Sequence, residues 1–316
     1  MGIDIETARF LLARRRDKTC FERCATLGRQ HYYVSNTETR ALLKEFELSP
    51  EDFPGLFPAS YPDYSEPFWE MLGTKALATI DASPFEGATH VHDMNQPIPA
   101  EWKEAFDVVC DVGTLEHVFN FPCAIRNCLE MVRRGGCFFT QTPANNHFGH
   151  GFYQFSPELF FRVLSPQNGF KVEHCVAVEY GPRRRWFMVT DPEAARARVT
   201  LVNAAPVILL VCAKRVEIKP LFLKTPQQSD YAAAWAESAA KGNDRNPSGT
   251  LPLERLKNVM LNTAPRLARA LVPCGTPASI EHSPSAMRNP SRASPSAVKP
   301  WKRHCLFVTD FRRLSA

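Results

Sequence analysis

The chain has 316 residues, enough for one large domain or for one medium domain with appendages. Apolar residues make up 44% of it and charged residues 22%, which excludes a wholly disordered chain. The net charge of +5 is uneven: residues 223–316 carry 14 Lys and Arg against 6 Asp and Glu, and the remainder carries 24 against 27. The body therefore lacks the basic patch of a specific nucleic-acid reader, and we expect no such partner.

The cysteines and the apolar runs do not indicate a secreted or membrane-spanning protein. None of the ten cysteines forms a Cys-x-x-Cys pair, and several, such as Cys110, lie in apolar runs where thiols act as small core side chains. Asp4, Glu6 and an arginine run interrupt any apolar leader, so we expect a reducing, cytoplasmic compartment. The longest apolar run, 202–213, is too short to cross a bilayer, and no membrane span is predicted.

The first part of the chain predicts two helices and a short strand. Helical spacing of apolar side chains over Ile3–Arg16 predicts an amphipathic helix that docks on the body. A short strand over Cys20–Leu27 ends at Gly28, and a helix follows over Thr37–Phe46. Between residues 49 and 67, five prolines alternate with aromatic residues, which predicts a connector and not a helix.

A regular α/β pattern starts after a short helix over Pro67–Leu72. A helix is predicted over Cys123–Arg133. Four strands are predicted, at Ala76–Asp81, Thr89–His92, Phe106–Asp111 and Gly136–Thr142. Strands that are apolar almost throughout are buried on both faces of a parallel sheet, so this pattern predicts a doubly wound, mostly parallel arrangement.

The pattern continues to about residue 222 and then weakens. A helix starts with a Ser-Pro-Glu cap at Ser156 and ends near Leu164, and strands follow over Phe170–Glu179 and Val199–Val216. Further helices are predicted near 231–240 and 253–271. From Pro273 to Pro300, six prolines and six serines occur in 28 residues, a composition that predicts disorder.

These features define four predicted regions of the chain. They are an N-terminal helix (1–19), the α/β domain (20–222, with an insertion at about 47–70), a helical extension (223–272) and a disordered, basic, Ser/Pro-rich tail (273–316).

One segment carries a family resemblance. The sequence FDVVCDVGTLEHVFNFPCAIRNCLEMVRRGGCFFTQTPANN, which begins at Phe106, resembles the fourth strand, following helix and fifth strand of class I S-adenosylmethionine (SAM)-dependent methyltransferases. The resemblance covers roughly residues 20–216. It implies a Rossmann-like methyltransferase fold with a final antiparallel strand, SAM as the cofactor, and transfer of a methyl group to oxygen or nitrogen.

The resemblance also assigns cofactor contacts at two strand ends. Asp81 would accept the ribose hydroxyls, although it could instead cap the turn that follows it. Asp93 would contact the adenine amino group with Met94 as an apolar neighbour of the ring, and the alternative is an Asx turn before Pro97.

The segment after the predicted strand 106–111 would lie beside both cofactor and acceptor. Gly113 permits close backbone approach, and Thr114 and Glu116 are counted with it as cofactor-binding residues. His117 is a candidate catalytic base, because histidine titrates near neutral pH. The alternatives are that Glu116 caps the next helix and that His117 is packed.

The loop PANNHFGHGFYQFSPE is the most unusual stretch. It concentrates polar and aromatic residues between a strand and a helix, as acceptor sites do, and His147 and His150 are further candidate catalytic residues. It resembles a signature of methyltransferase-like proteins that includes members of bacterial surface-glycan pathways, so a small or glycan-like acceptor is expected. No cysteine or carboxylate lies nearby in sequence at ligand spacing, so no metal is predicted.

The first glycine turn departs from the family pattern. A single glycine, Gly28, is followed by the bulky Arg29 and Gln30, and Gly28 and Asp81 are 53 residues apart. The leading hypothesis is a SAM-dependent methyltransferase. The degenerate turn raises the alternative of an inactive, methyltransferase-like binding or assembly module, and a nicotinamide enzyme is disfavoured because no GxGxxG turn is present.

Overall fold

The computed structural model describes residues 2–58, 63–181 and 184–240. One compact unit contains the described residues up to Ala234. Of a second unit, only residues 235–240 are described, as the end of a helix. The predicted helix at 253–271 and the predicted disordered tail lie outside the described residues.

An eight-stranded sheet forms the centre of the first unit, and a small three-stranded sheet lies beside its N-terminal elements. The strands are β1 (Gly2–Ile3), β2 (Arg23–Leu27), β3 (His31–Tyr32), β4 (Asp63–Tyr64), β5 (Ala76–Asp81), β6 (His90–Val91), β7 (Phe106–Val112), β8 (Val132–Asn145), β9 (Phe170–Glu179), β10 (Arg185–Met188) and β11 (Val207–Arg215).

The order in the large sheet is β10-β9-β11-β8-β7-β2-β5-β6. Strands β6, β5, β2, β7 and β8 are parallel, whereas β11 is antiparallel to both of its neighbours, β8 and β9. The predicted doubly wound, mostly parallel sheet with a final antiparallel strand is therefore confirmed. The small sheet has the order β1-β3-β4.

The helices are α1 (Ile5–Arg16), α2 (Asn36–Glu45), α3 (Glu66–Leu72), α4 (Phe121–Met131), α5 (Pro157–Val163), α6 (Pro192–Ala195) and α7 (Ser229–Ala240). Helices α1 to α5 cover the two faces of the large sheet. Alternate side chains of the central strands join two apolar clusters: Leu209 and Val211 of β11 pack with α4 and α5, and Ile208 and Leu210 pack with α1, α2 and α3. This alternation follows from the two-residue period of a strand and gives a three-layer α/β/α core.

Most predicted elements are present, and the exceptions have physical causes. The predicted strand at Val199–Val216 begins only at Val207, directly after Pro206, which cannot donate to a strand ladder. Strand β10 was not predicted. In the described part of the chain, no helix has both the length and the apolar character that crossing a membrane requires.

Candidate functional site

The strand order reverses between β2 and β7, because the chain adds β5 and β6 on one side of β2 and then returns to place β7 on the other. Doubly wound sheets bind ligands at such a switch point, beyond the carboxyl ends of the strands. Leu27 of β2 lies in register with Ile80 of β5 and Asp111 of β7. Gly28 and Gly113, which follow two of these residues closely, therefore lie at one edge of the sheet.

Asp111 fixes the turn that leaves β7. Its side chain is fully buried, and Oδ1 accepts the backbone N–H groups of Thr114 at 3.0 Å and Leu115 at 3.1 Å. The other oxygen accepts the Thr140 hydroxyl at 2.7 Å. Burial raises the pKa of the Asp111 carboxyl to about 6 even with these three donors. The Asp111 carboxyl group therefore holds the turn, and its burial is tolerated because the three donors satisfy its oxygen atoms.

The two loops at the switch point are joined and have glycines where the backbone is left-handed. The Thr114 hydroxyl donates to the Leu27 carbonyl at 3.0 Å. Gly28 has φ of 75° and Gly113 has φ of 80°, a region that favours glycine. The Gly28 N–H donates to the Ile80 carbonyl at 2.6 Å, so it extends the β2–β5 ladder.

Two bulky residues follow the first of these glycines, and both are held in place. The Arg29 guanidinium donates to Glu66 at 2.6 Å and to the Glu86 carbonyl at 3.1 Å, and it lies 3.6 Å from the centroid of the Tyr64 ring. Gln30 is only 1% exposed. Tyr64 and Glu66, which belong to the insertion, therefore fix Arg29, and Gln30 is a buried residue of this edge.

Asp81 and Asp93 both make the local turn contacts that were the alternatives to cofactor binding. Asp81 Oδ1 accepts the Ser83 N–H at 3.1 Å, and Asp93 Oδ1 accepts the Asn95 N–H at 2.9 Å and its side-chain amide at 2.7 Å. Met94 is buried in the core. Asp81 ends β5 next to Gly28, so its position still suits a ligand at the switch point.

The three candidate catalytic histidines come together beside Glu116. The His150 ring centroid lies 5.1 Å from that of His117 and 5.9 Å from that of His147. Glu116 is 1% exposed, and its Oε1 lies 3.4 Å from His150 Nε2. Glu116 is not the cap of helix α4, whose N-cap is Asn120, and His117 is exposed and not packed.

The loop that carries His147 and His150 is clasped onto the Glu116 turn. The Glu116 carbonyl accepts the N–H of Phe152 at 2.7 Å, and the Tyr153 hydroxyl donates to the Phe119 carbonyl at 2.7 Å. A Cβ on Gly151 would lie 2.8 Å from the Glu116 carbonyl oxygen, so the two segments pack backbone against backbone. The cluster is therefore built by two segments that are distant in sequence.

Burial sets the protonation of this cluster. It raises the pKa of Glu116, and the neighbouring Asp111 carboxyl raises it further. Burial and the His150 ring lower the pKa of both His117 and His147. Near neutral pH the cluster therefore combines a carboxyl group that tends to keep its proton with imidazoles that can accept one.

Four buried side-chain atoms at this edge find no hydrogen-bond partner among the described residues. They are Gln30 Oε1, Glu116 Oε2, Thr142 Oγ1 and His147 Nε2. Thr142 belongs to the edge because the preceding residue on β8, Gln141, accepts the Gly113 N–H at 3.1 Å. Buried polar atoms are normally satisfied, so a group of unsatisfied ones suggests a polar ligand.

Exposed aromatic side chains flank the cluster. Phe119, Phe148 and Phe152 are each more than half exposed. The rings of Phe119 and Phe152 meet edge to face, with their centroids 5.9 Å apart. Large apolar side chains grouped at a polar site are typical of a surface that receives a partner.

A cavity of about 460 Å³ lies at the opposite edge of the sheet, where its lining includes Asp107 near the start of β7 and Gly136 in the first half of β8. Near it, the sulfur atoms of Cys137 and Cys212 and a carboxylate oxygen of Glu173 lie within 4.8 Å of one another. Open volume usually indicates a binding site. Two residues that line this cavity, Arg14 and His174, also have a buried side-chain atom without a partner among the described residues, so it is the switch point of the strand order that favours the carboxyl edge.

Sequence reasoning missed three contributions to this site. Gln30 was regarded only as an obstacle, and Asp111 only as a strand residue. The absence of a metal was predicted because no carboxylate lies near His147 and His150 in sequence. The fold corrects that reason, since Glu116 reaches His150 from another loop.

No family model and no curated protein matches the sequence. Solved structures do match the fold. The trans-methyltransferase CalH in complex with S-adenosylhomocysteine (SAH) is 15% identical over 66% of this chain and 55% of that chain, with a TM-score of 0.37. The citrinin polyketide synthase CMeT domain is 12% identical over 68% and 52%, with a TM-score of 0.36.

The N-methyltransferase NodS from Bradyrhizobium japonicum WM9, in complex with S-adenosyl-L-homocysteine (SAH), is 15% identical over 67% of this chain and 87% of that chain, with a TM-score of 0.36. The chain spans about half the length of CalH and of the citrinin synthase structure. The strand order itself, and not these likenesses, identifies the fold of this protein.

Proposed function

We propose that the protein is a SAM-dependent methyltransferase that acts on oxygen or nitrogen of a small or glycan-like acceptor. The observation that carries the proposal is the group of buried, unpartnered polar atoms at the switch point of the sheet. Such atoms are costly in water-free surroundings and become favourable when a ligand satisfies them. Their place beyond the carboxyl ends of β2, β7 and β8 is where this class of sheet binds ligands.

The residues present suit SAM. The left-handed Gly28 and Gly113 allow the backbone to approach a ligand closely. The buried side-chain oxygen of Gln30, Oε1, is an acceptor for an ammonium group. The carboxylates of Asp81 and Asp93 are acceptors for hydroxyl and amino groups. When bound, SAM supplies an electrophilic methyl group on its sulfonium.

The cluster of Glu116 and the histidines suits the acceptor side. Methyl transfer by in-line displacement requires mainly that the acceptor atom is positioned and kept from water. A neutral His147 can take the proton that the acceptor atom loses.

The aromatic side chains favour an acceptor with an apolar face. The C–H groups on one face of a sugar ring pack against the π face of an aromatic ring, and its hydroxyl groups stay free for polar contacts. Phe119 and Phe152 supply such rings within the segments that carry Glu116 and His150. A glycan-like molecule matches this pairing of surfaces.

A second function is favoured by one observation at the first glycine. The Gly28 N–H already bonds the Ile80 carbonyl, and Arg29 is fixed by Glu66, so this turn offers less free backbone than a glycine-rich turn. A fold that kept its core but lost the cofactor would serve as a binding or assembly module. This alternative predicts a folded protein without affinity for SAM.

Calorimetry of the full chain with SAM and with SAH tests the proposal. We expect saturable binding of both, and we expect Gly113→Ala to weaken it about tenfold or more, because alanine is strained at the Gly113 φ of 80° and would distort the turn at the switch point. Gly135→Ala is the matched control: Gly135 also has a positive φ, of 82°, but lies at the opposite edge. A folded protein that binds neither compound would refute the proposal and favour the module.

The acceptor class is tested by release of SAH in the presence of simple glycosides. We expect Phe119→Ala and Phe152→Ala to raise the KM for the acceptor while SAM affinity is unchanged. Leu223→Ala, which removes an exposed apolar side chain outside these loops, should have no effect. An unchanged KM in both aromatic variants would argue against a glycan-like acceptor.

A further inference from the structure

Glu116, His117 and His150 have the composition and the spacing of a transition-metal site. Their ligand atoms, one from each residue, all lie within 4.8 Å of one another. In a tetrahedral zinc site, nitrogen and oxygen ligands at about 2.0–2.2 Å from the metal are about 3.4 Å apart. Glu116 Oε1 and His150 Nε2 are already 3.4 Å apart.

A buried and unpartnered carboxylate oxygen independently indicates a missing cation. Glu116 is 1% exposed, and its Oε2 accepts no hydrogen bond from the described residues. The only ionic partner of this carboxylate in the described residues is His150, which is positive only when it is protonated. A bound metal ion would give this buried oxygen the partner that the described residues do not supply.

The ligand-bearing segments are fixed before any ion binds. The loop around His150 donates the Phe152 N–H to the Glu116 carbonyl at 2.7 Å, and the His147 N–H donates to Gln154 Oε1 at 3.0 Å. Pre-organised ligands bind metal more tightly, because less conformational freedom is lost on binding.

We infer that Glu116, His117 and His150 bind one divalent first-row transition-metal ion. Two imidazoles and one carboxylate suit zinc, iron and cobalt, and three protein ligands leave a coordination position open. His147, whose Nε2 is buried and unpartnered, lies beside His150 and is available as a fourth ligand or as a contact to a metal-bound group. The ion lies on the acceptor side of the switch point.

The role of the ion, though not its binding, rests on the proposed methyltransferase function. An acceptor hydroxyl at the open position would be oriented by the ion and would have its pKa lowered by it. Metal binding itself requires neither SAM nor an acceptor, so it can be measured alone.

The test is a Co²⁺ titration of the full-length, metal-stripped protein without SAM, followed by optical absorption. We expect a Co²⁺ species that lacks a thiolate-to-metal charge-transfer band, with one ion per chain in that species. This spectrum separates the proposed site from the cluster of Cys137, Glu173 and Cys212, whose thiolates would produce the band.

Single substitutions locate the ion. We expect His150→Ala and Glu116→Gln each to weaken this species at least about 100-fold, which exceeds the loss typical of contacts beyond the direct ligands. The His150 side chain is 54% exposed, so its removal leaves the core intact, and Glu116→Gln preserves shape. His92→Ala is the control, because His92 lies beyond β6 and outside the cluster. Near-UV circular dichroism confirms folding.

Two results would overturn the inference: no thiolate-free Co²⁺ species, or such a species with the same affinity in His150→Ala. Its failure is separate from failure of the proposed function. Loss of SAM binding with intact Co²⁺ binding would refute the enzyme and keep the metal site, whereas SAM binding without the Co²⁺ species would do the reverse.

Discussion

Replacing Asp111 by alanine or by asparagine separates the two roles of its buried carboxyl group. Alanine removes the acceptor of the Thr114 N–H group and leaves two buried donors, the Leu115 N–H and the Thr140 hydroxyl, without the acceptor they have in the wild type. An unsatisfied buried donor costs about 1–3 kcal/mol. Release of a carboxylate that was itself costly to bury offsets part of this, so we expect Asp111→Ala to lower the free energy of unfolding by about 2–4 kcal/mol.

Asparagine keeps the acceptor oxygen and can donate its amide to the Thr140 hydroxyl, so Asp111→Asn should cost less than about 1 kcal/mol. Its effect also depends on pH. The carboxyl pKa of Asp111 is raised by burial from 3.8 to about 6, so the folded wild type holds a proton that the unfolded chain has lost. Wild-type stability conferred by this group is therefore complete below pH 3.8 and is lost as the pH rises through about 6.

Asparagine does not titrate, so it should gain on the wild type by up to about 3 kcal/mol between pH 4 and pH 8. Urea unfolding of the wild type and both variants at several pH values, monitored by tryptophan fluorescence, measures this difference. The explanation would be refuted if Asp111→Asn were as damaging as Asp111→Ala at pH 8, or if the difference between Asp111→Asn and wild type did not change with pH.

Three further predictions concern other parts of the fold. Arg215 is 3% exposed and donates to three carbonyls at the end of helix α4. We expect Arg215→Met to lower the free energy of unfolding by about 2–4 kcal/mol. A loss of less than about 1 kcal/mol, measured by urea unfolding, would contradict this. Gly151→Ala should weaken Co²⁺ binding because its Cβ would meet the Glu116 carbonyl, whereas Gly149→Ala, with a similar φ and open space, should not; equal effects would disprove the clasp. Burial lowers the pKa of His174 from 6.5 to about 4, so wild-type stability is lost as the pH falls from 6.5 to 4, and His174→Gln should flatten that loss in unfolding curves measured at pH 7 and pH 5.

Local sequence patterns predicted the strands and helices whose own residues carry a clear apolar or capping pattern. Strand β7 is apolar almost throughout, and helix α5 begins with a serine cap followed by proline and glutamate, so both were recognisable. Strand β10 begins with Arg185 and has no such pattern. It exists because β9 provides a partner, with Arg185 placed opposite Glu179 and paired with it at 2.7 Å. A pairing of this kind is set by the fold and not by local preference.

The site shows the same division between local and distant causes. The glycines at strand ends and the polar, aromatic loop, which the sequence singled out, lie at one edge of the sheet. The contact between Glu116 and His150 joins segments separated by a strand and a helix, so no spacing rule reveals it. Gln30 is similar, because only the packed structure shows that its side-chain oxygen, Oε1, is buried without a partner among the described residues.

The place of β11 in the sheet has a consequence for biosynthesis. Strands β8 and β9 do not pair with each other; each pairs with β11, which is made after both. A chain that has not yet reached Val207 therefore exposes two long, unpaired apolar edges, a state that favours pairing with other chains. During synthesis, these two strand edges are therefore exposed until β11 has been made. Premature termination before Val207 should yield insoluble protein.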